Sequence, residues 1–273
     1  MKTVFITGCS SGYGLATASF FLDRGWNVVA TLRSPEKASS LPESDRLCRL
    51  RLDVTDPRSV REAVGAGMAA FGGLDVLVNN AGIGLLSAVE ATPEATIREV
   101  FETNTFGVIA VTQAIVPYFR ERGEGTLVNV TSSVGIVPQP LVAPYTASKF
   151  AIEGFTESLA YELSAFGIRT KIVQPGYGPH TNFTSNGAER MKGLIPPAYA
   201  PYAGQLFQHF ANAKHTQPGD VARAVWLAAT DGSDRLRYPA GADAEELAAL
   251  RRAFPGDDYL ERMRETLQHP VEA

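Results

Sequence analysis

Residues 3–22 read TVFITGCSSGYGLATASFFL, and the way this stretch changes character decides the fold. Thr3 to Thr7 is a short run of β-branched and aromatic residues, suited to a strand. Thr7-Gly8-Cys9-Ser10-Ser11-Gly12-Tyr13-Gly14 then turns the chain, and Leu15, Ala18, Phe21 and Leu22 follow at helical spacing. Glycines there let the backbone bend tightly and approach a pyrophosphate, while the free N–H groups opening the helix face the anion. The same glycines would serve an ordinary βα turn, but their place between a first strand and a helix favours dinucleotide binding.

The pattern repeats outward from that unit. Strands are predicted at 28–31, 47–52, 74–79, 126–131 and 169–173, with a short edge strand at 236–238. Helices are predicted from near Pro57, over 93–119 with a bend near Gly107, and over 144–166, 218–229, 244–254 and 259–267. Strands alternating with helices predict an α/β fold around a parallel sheet, and the nearly continuous apolar character of the strands predicts cover on both faces. Residues 177–217 break the rhythm, being rich in Gly, Pro, Asn, Tyr and Phe, with one possible helix at 205–213. They read as a lid or substrate-binding insert in a single domain spanning 1–273.

Composition narrows the partners. With 273 residues, a net charge of −4 and no basic stripe, the chain is not expected to take nucleic acid or an anionic membrane as its main partner. No apolar run approaches the roughly 20 residues that cross a bilayer. Cys9 and Cys48 make no disulfide framework, and a soluble cytoplasmic protein is the default expectation. No cysteine or carboxylate cluster with metal-ligand spacing is present, so no metal is expected.

The tip of the second strand selects the nucleotide. An acidic residue there would bind the adenosine ribose and repel a 2′-phosphate, but this chain has Ala30-Thr31-Leu32-Arg33. Arg33 offers a phosphate-matching fork, or is simply a solvated residue. NADP(H) is therefore favoured over NAD(H), with Asp53 placed to touch the adenine. Asn79-Asn80-Ala81-Gly82 lets backbone pass close to a ligand, or forms a plain Asn/Gly turn.

At the other end, Tyr145-Thr146-Ala147-Ser148-Lys149 opens a helix, and its first and last residues share one face. A nearby ammonium favours a phenolate and should lower the ordinary tyrosine pKa of about 10. Ser132 ends a strand where its hydroxyl can orient a carbonyl oxygen. Asn104 is a poor helix former inside a long helix, so it either holds a water linking Lys149 to solvent or patches the bend near Gly107.

Taken in order, Thr7-Gly8-Cys9-Ser10-Ser11-Gly12-Tyr13-Gly14, Asp53-Val54, Asn79-Asn80-Ala81-Gly82, Asn104, Ser132, Tyr145-x-x-x-Lys149 and Pro175-Gly176 resemble the short-chain dehydrogenase/reductase family. The resemblance implies a Rossmann-like, doubly wound parallel sheet of about seven strands in a three-layer α/β/α arrangement. It implies that Tyr145 is the general acid–base and that Ser132 holds the substrate oxygen. Lys149 would bind the nicotinamide ribose, and Asn104 would support a water relay. Gly8, Ser10, Ser11, Gly12, Tyr13, Gly14, Leu32, Arg33, Asp53, Val54, Asn80, Ala81, Gly82, Pro175, Gly176, Gly178 and Thr181 would line the cofactor with Tyr145 and Lys149. The glycine loop and Ala-Thr-Leu-Arg are similar to the hydroxysteroid and retinol dehydrogenase branch. The resemblance also implies a homodimer or homotetramer built on the helices of 93–119 and 144–166.

Two positions depart from the family pattern. Tyr13 stands where a small aliphatic is usual. In Pro175-Gly-Tyr-Gly-Pro-His-Thr181, His180 takes the position of the expected threonine, read as a one-residue bulge at Gly178-Pro179 that moves the contact to Thr181, or as His180 contacting cofactor or substrate. The insert carries Phe183, Met191, Leu194, Ile195, Tyr199, Tyr202, Leu206, Phe207 and Phe210, which predict an apolar, mid-sized or bulky alcohol or carbonyl substrate. A non-catalytic NADP(H)-binding regulator, or an isomerase or dehydratase using nicotinamide transiently, are the rival readings.

Overall fold

The computed structural model describes residues 1–37, 40–179, 181 and 187–268. Seven strands form one sheet: β1 (Thr3–Thr7), β2 (Asn27–Leu32), β3 (Leu47–Arg51), β4 (Val76–Asn79), β5 (Gly125–Val130), β6 (Ile168–Pro175) and β7 (Arg237–Ala240). Their order is β3-β2-β1-β4-β5-β6-β7, and every pairing is parallel. Three-layer cover follows from alternation along the strands. Val4, Ile6, Val28, Ala30, Val76 and Val78 meet α1 (Gly12–Asp23) and α8 (Pro218–Thr230) on one face. Phe5, Val29, Leu77 and Leu127 meet α2 (Pro57–Ala70), α4 (Gly107–Arg122) and α5 (Ala143–Ser164) on the other.

Strand ends differ from the sequence expectation where side chains intercept the ladder. The fourth strand, expected from Leu74, starts at Val76 because the Leu74 N–H donates to Tyr118 Oη and its carbonyl accepts from Arg122. The sixth runs on to Pro175, pairing with an edge strand that reaches Ala240 rather than stopping at Tyr238. The expected helix over 93–119 is three pieces: α3 (Glu94–Phe101), a π-turn over Glu102–Phe106, and α4. Within 177–217 the single expected helix is replaced by α6 (Ala188–Met191), a 3₁₀ turn at Pro197–Tyr199 and a longer α7 (Ala200–Asn212). The chain closes with α9 (Ala242–Ala253) and α10 (Asp258–Gln268). Among the described residues no helix is long and apolar enough to cross a membrane.

Between β1 and β4 the strand order reverses, and the crevice beyond their carboxyl ends is the expected ligand position in such a sheet. The glycine loop, the Asn80–Gly82 turn and Ser132 all follow strands at that end.

Candidate active site

The cradle starts with backbone geometry. Gly8 and Gly12 have φ of +76° and +55°, where a side chain is strained. A Cβ on Gly14 would stand 2.2 Å from the Gly8 carbonyl oxygen and 2.5 Å from Asn80 Nδ2. Asn80 fastens the two strand ends together, its Nδ2 donating to the Thr7 and Gly8 carbonyls at 2.9 and 3.2 Å. Thr7 Oγ1 in turn accepts from the backbone N–H of Asn80 and of Ala81, each at 2.9 Å. A Cβ on Gly8 would come within 2.8 Å of Ala81 Cα, so the close approach of loop and turn explains the small residues on both sides. Ser11 caps α1 in extended conformation with its hydroxyl unused as a cap, while Ser10 is exposed and Gly14 is buried. This cradle fits a pyrophosphate: a bare loop, a helix start and no side chain in the way.

At the tip of β2, Leu32 is buried and Arg33 is exposed. Asp53 accepts from the Thr55 N–H and hydroxyl at 3.0 and 2.7 Å. Burial acts to raise its pKa, but the Thr55 bonds and the charges of Arg33 and Arg51 prevail, holding it below the usual carboxylate value. Val54 packs on the π-turn, since a Cβ on Gly107 would be 2.7 Å from Val54 Cγ2.

Tyr13 occupies a place made for it. Its hydroxyl lies 3.5 Å from the Gly176 carbonyl, and a Cβ on Gly178 would strike that hydroxyl at 2.0 Å. The 176–178 backbone is held from outside by two residues that sequence reading missed. Asp243 Oδ2 accepts the Tyr177 N–H at 2.6 Å, and its Oδ1 accepts the Thr216 hydroxyl at 2.6 Å. Thr216 Oγ1 also accepts from the Gly176 N–H at 3.1 Å. Their only sequence signal is Gly241, whose φ of +102° and closeness to Thr216 leave no room for a side chain. Beyond Pro179, Thr181 turns back so that its N–H and hydroxyl both donate to the Gly178 carbonyl, at 3.3 and 2.9 Å. That turn sets Thr181 beside Gly12, where an added Cβ would be 3.4 Å from Thr181 Cβ. His180 and Phe183 lie outside the described residues.

The reacting end gathers Ser132, Tyr145, Lys149 and Asn104, all buried. Ser132 hydrogen-bonds Tyr145, and its Oγ also accepts the Val134 N–H at 3.3 Å. Lys149 Nζ donates to the Val130 carbonyl at 3.3 Å and stands 5.8 Å from the Tyr145 ring centre. Here the electrostatics correct an expectation. Burial pushes Tyr145 up to about 12, offset only in part by Ser132, so the phenol is neutral rather than acidified by its neighbour. Burial pulls Lys149 down to about 8 while Glu153 acts to raise it. Asn104 uses its whole amide: Oδ1 accepts the Ile83 N–H at 2.8 Å, and Nδ2 donates to the Ile83 carbonyl and Ser148 Oγ at 2.9 and 3.2 Å. Gly82 brings the two ends together, since a Cβ there would be 3.3 Å from Asn104 Oδ1 and 3.5 Å from Lys149 Nζ.

Apolar side chains enclose the phenol. Tyr145 clusters with Leu85, Val100, Val134 and Leu194, with Met191 against them. Ile195, Tyr199, Leu206 and Phe210 instead pack a neighbouring cluster with Ala88 and Leu141, and Tyr202 and Phe207 are exposed. So Met191 and Leu194 of the 177–217 segment approach Tyr145, while the other described ones pack the neighbouring cluster or face outward. Arg190 grips Glu99 of α3 with two bonds of 2.8 and 2.6 Å, fastening the insert to the body. Among the described residues no group of three His, Cys, Asp or Glu is arranged to hold a metal.

A family model described as short chain dehydrogenase matches residues 2–192. The uncharacterised oxidoreductase YusZ of Bacillus subtilis is 37% identical over 267 residues, covering 93% of this chain and 94% of that protein. Bovine retinol dehydrogenase 8 is 32% identical, covering 93% of this chain and 86% of its own length. Among solved structures, a short-chain dehydrogenase from Streptomyces avermitilis superposes with a TM-score of 0.81 at 33% identity, covering 98% of this chain and 94% of that one. A Burkholderia cenocepacia short chain dehydrogenase solved in complex with NADP gives 0.75 at 25% identity, covering 99% and 100%. This spread does not single out the retinol branch.

Proposed function

The chain belongs to the short-chain dehydrogenase family, and on that premise we propose that it is an NADP(H)-dependent oxidoreductase for an apolar, mid-sized to bulky alcohol and its ketone or aldehyde. The observation that carries this reading is a buried Tyr145 phenol bonded to Ser132, clustered with Leu85, Val134 and Leu194, and set beside a buried Lys149. NADP(H) is favoured by the absence of a carboxylate at the tip of β2, by exposed Arg33 there, and by the NADP complex of the Burkholderia relative. We read residues 1–273 as one catalytic unit, with 177–217 as its lid.

When bound in the cradle, the nicotinamide supplies or accepts the hydride. The protein's part is positional and protonic. Ser132 and Tyr145 present two hydroxyls to one oxygen, which orients a carbonyl carbon. Tyr145, kept protonated by burial, donates to that oxygen as it gains charge. This is the protonation state that reduction requires, and oxidation runs the same transfer backwards. Lys149 would hold the ribose hydroxyls, and its charge would offset the phenolate left behind. Asn104, its amide engaged by Ile83 and Ser148, would hold the turn that stands beside Lys149. Thr181 and the Tyr13-supported 176–178 backbone would hold the carboxamide side. The apolar wall excludes water and selects against charged substrates, Arg190 being occupied by Glu99.

The test is loss of NADPH absorbance with a panel of simple ketones, aldehydes, oxosteroids and retinal. Turnover of an apolar member is the expected outcome, and Tyr145→Phe should lower kcat by about 10²- to 10⁴-fold while NADPH still binds. A Tyr145→Phe protein that retains a substantial fraction of kcat would overturn the assignment. Tight NADPH binding without net consumption across the panel would favour a regulator, isomerase or dehydratase.

A further inference from the structure

A buried carboxylate lies one helical turn beyond Lys149, and the chemistry above leaves it without a task. Glu153 of α5 is 4% exposed. Its Oε1 accepts from Thr131 Oγ1 at 2.7 Å and from Gln174 Nε2 at 3.0 Å, and its Oε2 accepts from Arg237 Nε at 3.0 Å. The donors come from the end of β5, from β6 and from β7, and hydrogen bonds of this kind favour the ionised acid. Burial still leaves its pKa above the usual carboxylate value, against the pull of Thr131, Gln174 and Arg237.

The cation and the anion are in register. Lys149 Nζ is bound to the carbonyl of Val130, and Glu153 to the side chain of the next residue, Thr131. Ser132 follows directly. From α5, Lys149 faces Tyr145 and Glu153. From β5, β4 and the π-turn it meets the Val130 carbonyl, Gly82 and the neutral amide of Asn104. Arg237 sits behind Glu153 and also binds Glu157, one further turn along the helix.

We propose that Glu153 is a positioning residue: clamped by Thr131, Gln174 and Arg237, it keeps the buried Lys149 cationic and fixes the strand end that carries Ser132. Its meaning for turnover rests on the oxidoreductase reading, but its effect on Lys149 is measurable without any substrate. Burial alone pulls a lysine towards neutrality, and a carboxylate one turn away opposes that.

The experiment is a pH titration of Lys149 followed by NMR in protein carrying ¹⁵N-lysine, with the signal assigned by Lys149→Arg. Glu153→Gln keeps the size and one acceptor oxygen but removes the charge, turning an NH2 donor towards one of the three donors, and should lower the Lys149 midpoint by about one pH unit or more. Glu153→Asp, which keeps the charge, should restore most of that shift. In the unaltered chain the Glu153 carboxyl carbon should report the ionised form at pH 7. An unchanged Lys149 midpoint in Glu153→Gln overturns the proposal even if activity falls, because a packing role would not move that titration. A protonated Glu153 at pH 7 overturns it without any variant. Failure of the unaltered protein to consume NADPH with any carbonyl leaves this titration intact and counts against the oxidoreductase reading alone.

Discussion

Lys149 is held near pH 8 by burial, against an ordinary lysine value of 10.5, and two pH dependences of opposite sense follow. Between those values the unfolded chain binds more protons than the folded one, so this group's contribution to stability rises with pH and is least favourable below about 8. Lys149→Met should therefore compare best with the unaltered protein at pH 7 and worst near pH 9.5, as read by urea unfolding at both. Cofactor binding runs the other way. A lysine that holds ribose hydroxyls as an ammonium loses its charge as the pH passes about 8, so the NADPH dissociation constant should climb above that point. Fluorescence titration from pH 6 to pH 10 reads this directly, and an affinity flat across the range would remove Lys149 from the cradle. At this scale the sequence showed which residues matter more readily than what their surroundings do to them. Tyr145 and Lys149 stand out by spacing, but the spacing implied an acidified phenol. The apolar ring of Leu85, Val134 and Leu194 that keeps it neutral is assembled from three distant segments. Asp243 was invisible for the same reason, since its partner Tyr177 lies 66 residues away in sequence.

Helices and strands followed from periodicity, and the departures trace to contacts made across the sequence. A bend near Gly107 is what glycine and a poor helix former suggest, and the chain answers with a π-turn over Glu102–Phe106 that ends there. Gly107 is bare because Val54 of another element fills its space, and the turn puts the Asn104 amide on both polar groups of Ile83. Neither Val54 nor Ile83 lies in the helical window, so the bend was legible and its form was not. π-turns insert an extra residue per turn and recur at functional sites, which suits a segment that must join the nicotinamide end to α5. Asn104→Ala should deprive the half-buried Ile83 N–H and carbonyl of their side-chain partners, at a cost of about 1 kcal/mol for each such bond. Asn104→Asp should be destabilising as well, because a carboxylate satisfies the Ile83 N–H but turns an acceptor towards its carbonyl. Urea unfolding reads both variants. Stability equal to the unaltered protein in Asn104→Ala would mean that the amide does not hold the turn.

For the molecule as a whole, a parallel sheet covered on both faces was legible in the alternation of strand and helix, whereas the strand order β3-β2-β1-β4-β5-β6-β7 and the surface that faces other molecules were not. Phe106 at the end of the π-turn, Phe150 and Tyr161 of α5, and Phe166 just beyond it are exposed, with Phe106 at 55% and Phe150 at 43%. A hollow of about 330 Å³ lies between Pro138, Gln139, Ala143, Thr146, Ala147 and Phe150. On its wall the buried Gln139 Oε1 and Thr146 Oγ1 have no hydrogen-bond partner among the described residues. Exposed aromatic side chains on neighbouring elements are what one half of a protein interface presents, since a second surface removes them from water. These are the helices on which the family resemblance places self-association, and the expected assembly is a homodimer or homotetramer joined there. Placing carboxylates on both rings, as Phe106→Asp with Phe150→Asp, buries uncompensated charge in such an interface at several kcal/mol while leaving the core untouched. Light scattering across a concentration series should then show the double variant at the mass of one chain and the unaltered protein at twice that mass or more. If both run as monomers at all concentrations, the exposed rings serve another partner and the lid must close the active site without help from a second copy.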